Sequence, residues 1–110
     1  MQINYFDQAD SRTIQIFGDL DAASAINLDK AIEQAVAQQK KKLLVDCTNL
    51  NYISSAGVGV FMSYIKEFEE RNITLVLFGL SPKVRNVFQI VGLDTLLTIA
   101  ATEQEARKKL

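Results

Sequence analysis

The sequence predicts a single α/β domain whose helices pack against a mixed, mainly parallel sheet that begins with a hairpin. Short apolar runs alternate with stretches of helical period along the whole chain. No internal repeat, low-complexity stretch or linker interrupts them, and Pro82 is the only proline. With 110 residues and 48% apolar content, the chain suits one core and leaves no room for a second. A chain of this length buries roughly two-thirds of the surface its unfolded form exposes, so it needs no disulfide or metal staple.

Gln2 to Phe6 and Thr13 to Phe17 read as strands, with Ile14 and Ile16 on one face. The polar stretch Asp7 to Arg12 suits a loop that lets them pair antiparallel. From Asp21 a helical period begins, with Leu28, Ala31, Ile32, Ala35 and Val36 on one face. Lys40 to Lys42 then fall near the helix C-terminus, where positive charge complements the helix dipole; a patch for an acidic partner is the functional alternative. Lys42 to Cys47, with Leu43, Leu44 and Val45 in succession, reads as a central strand covered on both faces, followed by a polar turn from Thr48 to Asn51.

After Tyr52-Ile53-Ser54-Ser55 comes a second amphipathic helix. Val58, Phe61, Met62 and Ile65 form its apolar stripe, and Lys66, Glu67 and Glu70 lie largely outside it. Phe61 and Met62 read as core residues rather than as contacts for a cofactor. Ile73 to Phe78 is another buried strand. Ser81-Pro82 supplies an N-cap followed by proline at the first helical position, Val84, Val87, Phe88 and Val91 make a short apolar face, and Gly92 can end that helix in a left-handed conformation. Leu96 to Ile99 reads as the last strand, and Thr102 to Glu105 matches a capping box opening a terminal helix that ends in basic residues. The order ββαβαβαβα yields about four helices.

The absences narrow the chemistry. With no histidine, Ser-His-Asp and Cys-His catalysis, the commonest transition-metal ligand and any phosphohistidine relay are missing from this chain. Cys47, the single cysteine, cannot form an internal disulfide or a CxxC site and reads as a small buried hydrophobe. Without a recognisable signal peptide, a reducing cytoplasmic setting is expected, and Met1 is compatible with a free-standing module. Lys40 to Lys42, Arg107 to Lys109 and the acidic Glu67 to Glu70 nearly balance at a net charge of −1, which does not make a nucleic-acid footprint. No apolar run approaches the ~18 residues that span a bilayer, so no direct membrane binding is expected.

Ser54-Ser55-Ala56-Gly57-Val58-Gly59 places two hydroxyls and two glycines at a strand-to-helix junction. A serine at such a helix start is exposed, and the free N–H groups and positive dipole end stabilise a phosphate attached to it. A phosphate would add about −1.5 to −2 charges. A partner interface that buried it would face a desolvation cost on the order of several kcal/mol. The plainer alternative is that Ser54 or Ser55 only caps the helix while Gly57 and Gly59 permit close packing. No GxxxxGK[ST] or GxGxxG is present, so no nucleotide cofactor is expected. Asp19 and Asp21, in Gly18-Asp19-Leu20-Asp21, offer either a simple N-cap at Asp21 or a partner-contacting loop beside the serines; two close carboxylates alone make no metal shell. Asp46 as the chemical centre of a receiver-like or flavodoxin-like enzyme would need a paired acidic cluster and a matched lysine that the sequence does not offer.

Taken in order, Gly18-Asp19-Leu20-Asp21, Leu43-Leu44-Val45-Asp46, Ser54-Ser55-Ala56-Gly57-Val58-Gly59-Val60, Ser81-Pro82-Lys83-Val84 and Val91-Gly92-Leu93 resemble the STAS family over essentially the whole chain. The resemblance implies the STAS fold and a partner-switching anti-sigma-factor antagonist, itself no enzyme. Unphosphorylated, such a protein binds an anti-sigma factor that is also a serine kinase. Phosphorylation releases it, and a PP2C-type serine phosphatase resets it. The family motif usually reads Asp-Ser-Ser/Thr-Gly-Leu-Gly; aligned on Gly57 and Gly59 its acceptor falls on Ser55, with Ser54 replacing the acid and Ala56 the following hydroxyl. The resemblance thus implies Ser55 as phosphoacceptor; the docking surface is expected around it, at Asp19, Asp21, Ser54, Ala56 and Gly57, with Gly59, Ser63 and Lys66 added by helical spacing. A non-phosphorylated STAS scaffold, an accessory subunit of a lipid or anion transport system, is the alternative use of the same fold.

Overall fold

A computed structural model describes the whole chain, Met1–Leu110. It opens with β1 (Gln2–Gln8) and β2 (Ser11–Leu20), paired antiparallel around the two-residue turn Ala9-Asp10, where Ala9 takes a positive φ of 54°. Asp7, Gln8, Ser11 and Arg12 are therefore strand residues and not loop. The polarity of Asp7 and Gln8 misleads because β1 is an edge strand whose side chains are largely exposed, so it needs no strict apolar alternation; Ser11 and Arg12 are polar yet buried in β2, their side chains bonded to Gln8 O and to Asp7 across the hairpin.

Helices and strands alternate from there. Helix α1 (Ala22–Ala37) leads to β3 (Lys42–Ile53), α2 (Ser55–Arg71) to β4 (Thr74–Phe78), and α3 (Pro82–Ile90) through a 3₁₀ turn (Leu93–Thr95) to β5 (Thr98–Ala100), before the terminal α4 (Glu103–Arg107). The sheet order is β1-β2-β3-β4-β5, and β2, β3, β4 and β5 are mutually parallel. Ile14, Ile16, Leu43, Val45 and Leu77 meet Leu28 and Ile32 of α1, Phe61 and Phe68 of α2, and Val84 and Phe88 of α3 on one face. Leu44, Val76, Phe78 and Ala100 meet Ala106 of α4 on the other. Leu43, Leu44 and Val45 are wholly buried, as a strand covered on both faces requires.

Several boundaries differ from the sequence reading. No turn separates Cys47 from Tyr52: β3 continues, because β2 also continues and pairs Phe17 with Asn49 and Leu20 with Ile53 across two register shifts. There β3 has outrun β4, whose last partner is Asp46, so Thr48, Asn49 and Asn51 are polar because only part of the strand is covered. Lys40 to Lys42 do not end α1, which stops at Ala37 with no basic residue in its last turn. Lys40 Nζ donates to Ala9 O at 3.1 Å, and Lys41 Nζ to Arg71 O at 3.3 Å, so the lysine that meets a helix C-terminus meets that of α2. Met62 is 51% exposed instead of core. The buried stripe of α2 runs through Val58, Phe61, Tyr64 and Phe68, and including the two aromatics rotates it away from Met62. Val91 caps α3 and is exposed, and the last strand begins only at Thr98 because Leu93–Thr95 form the 3₁₀ turn.

The hairpin is tied down by Arg12, 1% exposed. Its guanidinium donates to Asp7 at 2.6 and 2.9 Å and to Gln38 Oε1 beyond the end of α1, and its Cζ sits 4.1 Å from the Tyr5 ring centroid. Buried charge is tolerated here because the Asp7 carboxylate is bound in a two-point pair through Nε and Nη2, with Gln38 as a second acceptor for Nη2.

Candidate functional site

The parallel strands β2 and β3 end side by side, with Asp19 opposite Tyr52 and Leu20 opposite Ile53. The Ser54 N–H donates to Leu20 O at 2.8 Å, which extends the pairing by one step. Each strand then enters a helix, so the N-termini of α1 and α2 sit next to each other, about 5 Å apart at the strand ends.

Asp21 caps α1. Its carboxylate accepts the Ser24 N–H at 2.9 Å and the Ser24 hydroxyl at 2.8 Å, and the Asp21 N–H donates to Ser24 Oγ at 2.8 Å. The Ser24 N–H and hydroxyl hold the Asp21 carboxyl below the usual carboxylate range, so it is anionic at neutral pH. Asp19 is exposed at the end of β2. Gly18, with φ of 96°, precedes it in a conformation that favours glycine.

Ser54 caps α2, its Oγ accepting the Gly57 N–H at 3.2 Å in an extended backbone conformation. Val58 N donates to Ser54 O at 3.0 Å, so the N–H groups of Ser55 and Ala56 are left without an intrahelical partner. The two serines thus divide the possibilities that the sequence left open: Ser54 holds the cap and Ser55 is the exposed first residue of the helix. A group of negative charge on Ser55 Oγ would meet two free N–H donors and the positive end of a 17-residue helix.

The two glycines also part company. Gly57 is buried, and a Cβ there would lie 2.8 Å from Leu20 Cδ2 and 2.9 Å from Ile53 Cγ1; its hydrogen lets α2 sit against the strand ends. It contributes packing beneath the surface. Gly59 is exposed, and a Cβ added to it would have nothing within 4 Å, so no neighbour within the chain requires glycine there. Ala56 is exposed, and Ser63 is exposed with its hydroxyl donating to Val60 O at 2.7 Å. Ser55, Gly59, Met62, Ser63 and Lys66 recur at helical spacing and are all exposed, forming one outward ridge along α2.

Two exposed residues extend this region beyond the sequence reading: Tyr52 at the end of β3, with Lys83 Nζ 6.0 Å from its ring centroid, and Met62 on the ridge of α2. The signal for Met62 was present in Tyr64 and Phe68, which set the true phase of the buried stripe. Tyr52 carried no such signal, because Thr48 to Asn51 read as a turn and no strand period extended through to it. Cys47 is fully buried and burial pushes its thiol pKa up, with the Asp46 charge adding to the shift, so it is held as the neutral thiol away from this surface. Asp46 itself accepts the Thr48 N–H at 2.9 Å and a hydrogen bond from Gln15 at 3.3 Å.

The family model of the STAS domain matches residues 5–106 of this chain. An anti-sigma-B factor antagonist of Listeria monocytogenes is 35% identical over 100 residues, covering 89% of this chain and 88% of its own. Among solved structures, the anti-sigma factor antagonist SpoIIAA in its unphosphorylated form superposes with a TM-score of 0.83 at 27% identity, over 98% of this chain and 95% of that one. The Bacillus cell fate determinant SpoIIAA in the phosphorylated form superposes at 0.75 and 26% identity, over 98% of each chain.

Proposed function

The chain belongs to the STAS-domain family, and from that premise we propose that it is an anti-sigma-factor antagonist, a binding module that docks on an anti-sigma factor serine kinase through the surface around Ser55 and is released when Ser55 is phosphorylated. The observation that carries this reading is the placement of Ser55, an exposed hydroxyl on the first turn of α2 beside two unpartnered N–H groups, with the capping duty already taken by Ser54. The names of the Listeria relative and of the two SpoIIAA structures support it.

In the proposed cycle the kinase transfers the γ-phosphoryl of ATP to Ser55 Oγ, the hydroxyl proton passing to a base of the kinase and ADP leaving. A PP2C-type phosphatase returns serine and inorganic phosphate with water. The cap bond between Ser54 and Gly57 does not use Ser55, so phosphorylation leaves the fold intact and acts on the partner. Asp19 and Asp21 already make this edge acidic, and a further charge of about −1.5 to −2 concentrates on a surface where a docked partner would exclude water. Ala56, Gly59, Met62 and Ser63 supply the contact surface, Gly59 allowing close approach of the partner's backbone. The work of the domain is done in the cytoplasm, and its own residues carry no catalytic step.

Site-resolved mass spectrometry of the protein from its native cells, with and without stress, tests this together with the affinities of Ser55→Ala and Ser55→Asp for the cognate kinase. The expected results are condition-dependent phosphate on Ser55, full binding by Ser55→Ala, and binding weakened by about ten-fold or more in Ser55→Asp through the added charge. Equal affinity of the two variants, or an unmodified Ser55 under every condition with its peptide well detected, overturns the switch. The latter result directs the search to transporter subunits as partners.

A further inference from the structure

We propose that β1 is a self-association edge, through which two copies of this chain pair antiparallel and join their sheets into one. The two edges of the sheet differ. The β5 edge is protected by its brevity, three residues, whereas β1 presents seven residues without proline or lysine. Its ladder with β2 carries no register shift from Gln2 to Gln8, so no bulge twists it away from a partner. Short strands, charged side chains, proline and bulges are the usual devices that keep a sheet edge from pairing; β1 has only one charge, Asp7, and that is neutralised within the hairpin by Arg12 at 2.6 Å.

The register says which groups are available. Gln8 and Ser11 flank the two-residue turn and form the hydrogen-bonded pair that closes the hairpin. Alternation from there directs the N–H and C=O groups of Gln2, Asn4, Phe6 and Gln8 towards β2, and those of Ile3, Tyr5 and Asp7 outward. An antiparallel pair centred on Tyr5 overlaps the whole strand. It sets Tyr5 against Tyr5 of the second copy and Ile3 against Asp7, each such pair exchanging two hydrogen bonds. No like charges oppose each other in that register, since Asp7 is the only charged residue of the strand.

The neighbouring helix supplies complementarity. A groove between β1 and α1 is lined by Ile3, Tyr5, Lys30, Ala31, Glu33 and Gln34, among others. Lys30 and Glu33 are both exposed, line this groove and carry opposite charges, so a two-fold that sets these stretches of α1 antiparallel pairs Lys30 of one copy with Glu33 of the other, twice. A closed two-fold dimer with a self-complementary surface is the result. Phe6, 59% exposed on the opposite face, gains cover from the second sheet.

Sedimentation equilibrium over a series from micromolar to millimolar protein tests this, read beside residue-resolved amide exchange at both ends of the series. The expected result is a monomer–dimer equilibrium in which the Tyr5 amide becomes protected only at high concentration, while the Asn4 and Phe6 amides are protected throughout. Tyr5→Pro removes an outward N–H that β2 does not use and raises the dimer Kd by about ten-fold or more. Lys30→Glu and Glu33→Lys each weaken the dimer, and combining them restores it; these exposed positions serve as the test if Tyr5→Pro does not fold. A monomer at every concentration overturns the proposal, as does a dimer that the charge reversals leave unchanged.

Discussion

Replacing Gly57 and Gly59 by alanine, one at a time, is expected to move stability in opposite directions although the two lie two residues apart in the same helix. At Gly57 the new Cβ would stand 2.8 Å from Leu20 Cδ2 and 2.9 Å from both Leu20 Cγ and Ile53 Cγ1. Carbon atoms settle at about 3.5 to 4.0 Å, so one neighbour must yield by more than half an ångström. Leu20 is fully buried and Ile53 3% exposed, which leaves neither room to swing aside. Overpacking of this kind costs about 1–3 kcal/mol, and the helix preference of alanine over glycine returns at most about 1 kcal/mol. With the full return Gly57→Ala should lose up to about 2 kcal/mol. At Gly59 the new methyl meets nothing within 4 Å, so Gly59→Ala should gain up to about 1 kcal/mol. Equilibrium urea unfolding followed by far-UV circular dichroism measures both as differences in unfolding free energy. Equal stabilities for the two variants would refute the argument that Gly57 is required by the contact of α2 with the strand ends.

Ser54→Ala should cost about 1 kcal/mol through the lost cap, and Ser55→Ala much less, in the same urea titration. The Asp7 carboxyl is held below its usual range chiefly by its hydrogen bond from Arg12, so the folded protein binds this proton more weakly than the unfolded chain. The stability it contributes is complete above the unfolded pKa of about 4 and is lost as pH falls through the lower folded value; Asp7→Asn should be less stable than wild type at neutral pH, the gap closing in acid. Denaturation midpoints from pH 7 downward give the check, and a gap independent of pH contradicts it. Cys47 should react with a thiol reagent only as fast as the chain unfolds, because the thiol is buried and kept neutral; fast stoichiometric labelling of the native protein at neutral pH contradicts this.

Local rules in the sequence carried most of the architecture. Apolar period marked the faces of α1 and α3, the run Leu43-Leu44-Val45 marked the strand buried on both sides, and Ser81-Pro82 marked the start of α3, where Ser81 Oγ accepts the Val84 N–H. Thr102 likewise caps α4, accepting the Glu105 N–H, although the Glu105 carboxylate turns to Ala101 N. These are signals within one turn or one strand, where side chain and backbone that interact are neighbours in the chain. The motifs around Gly18, Ser54 and Ser81 fall at strand-to-helix junctions, as their residue types suggested.

What the tertiary structure decided were matters of distance across the chain. Whether Thr48 to Asn51 turn or continue depends on β2 lying alongside them; whether Lys41 meets α1 or α2 depends on which helix end lies nearest. Gly57 and Gly59 are the same residue in sequence, and only Leu20 and Ile53, brought up from two other segments, make one indispensable to packing and leave the other open. Asp21 and Ser54 are each legible as N-caps by residue type, but their adjacency follows from the parallel pairing of β2 with β3. A residue's propensity is a property of its own backbone and nearest neighbours, whereas a site is a meeting of segments, and only the packed sheet brings these together.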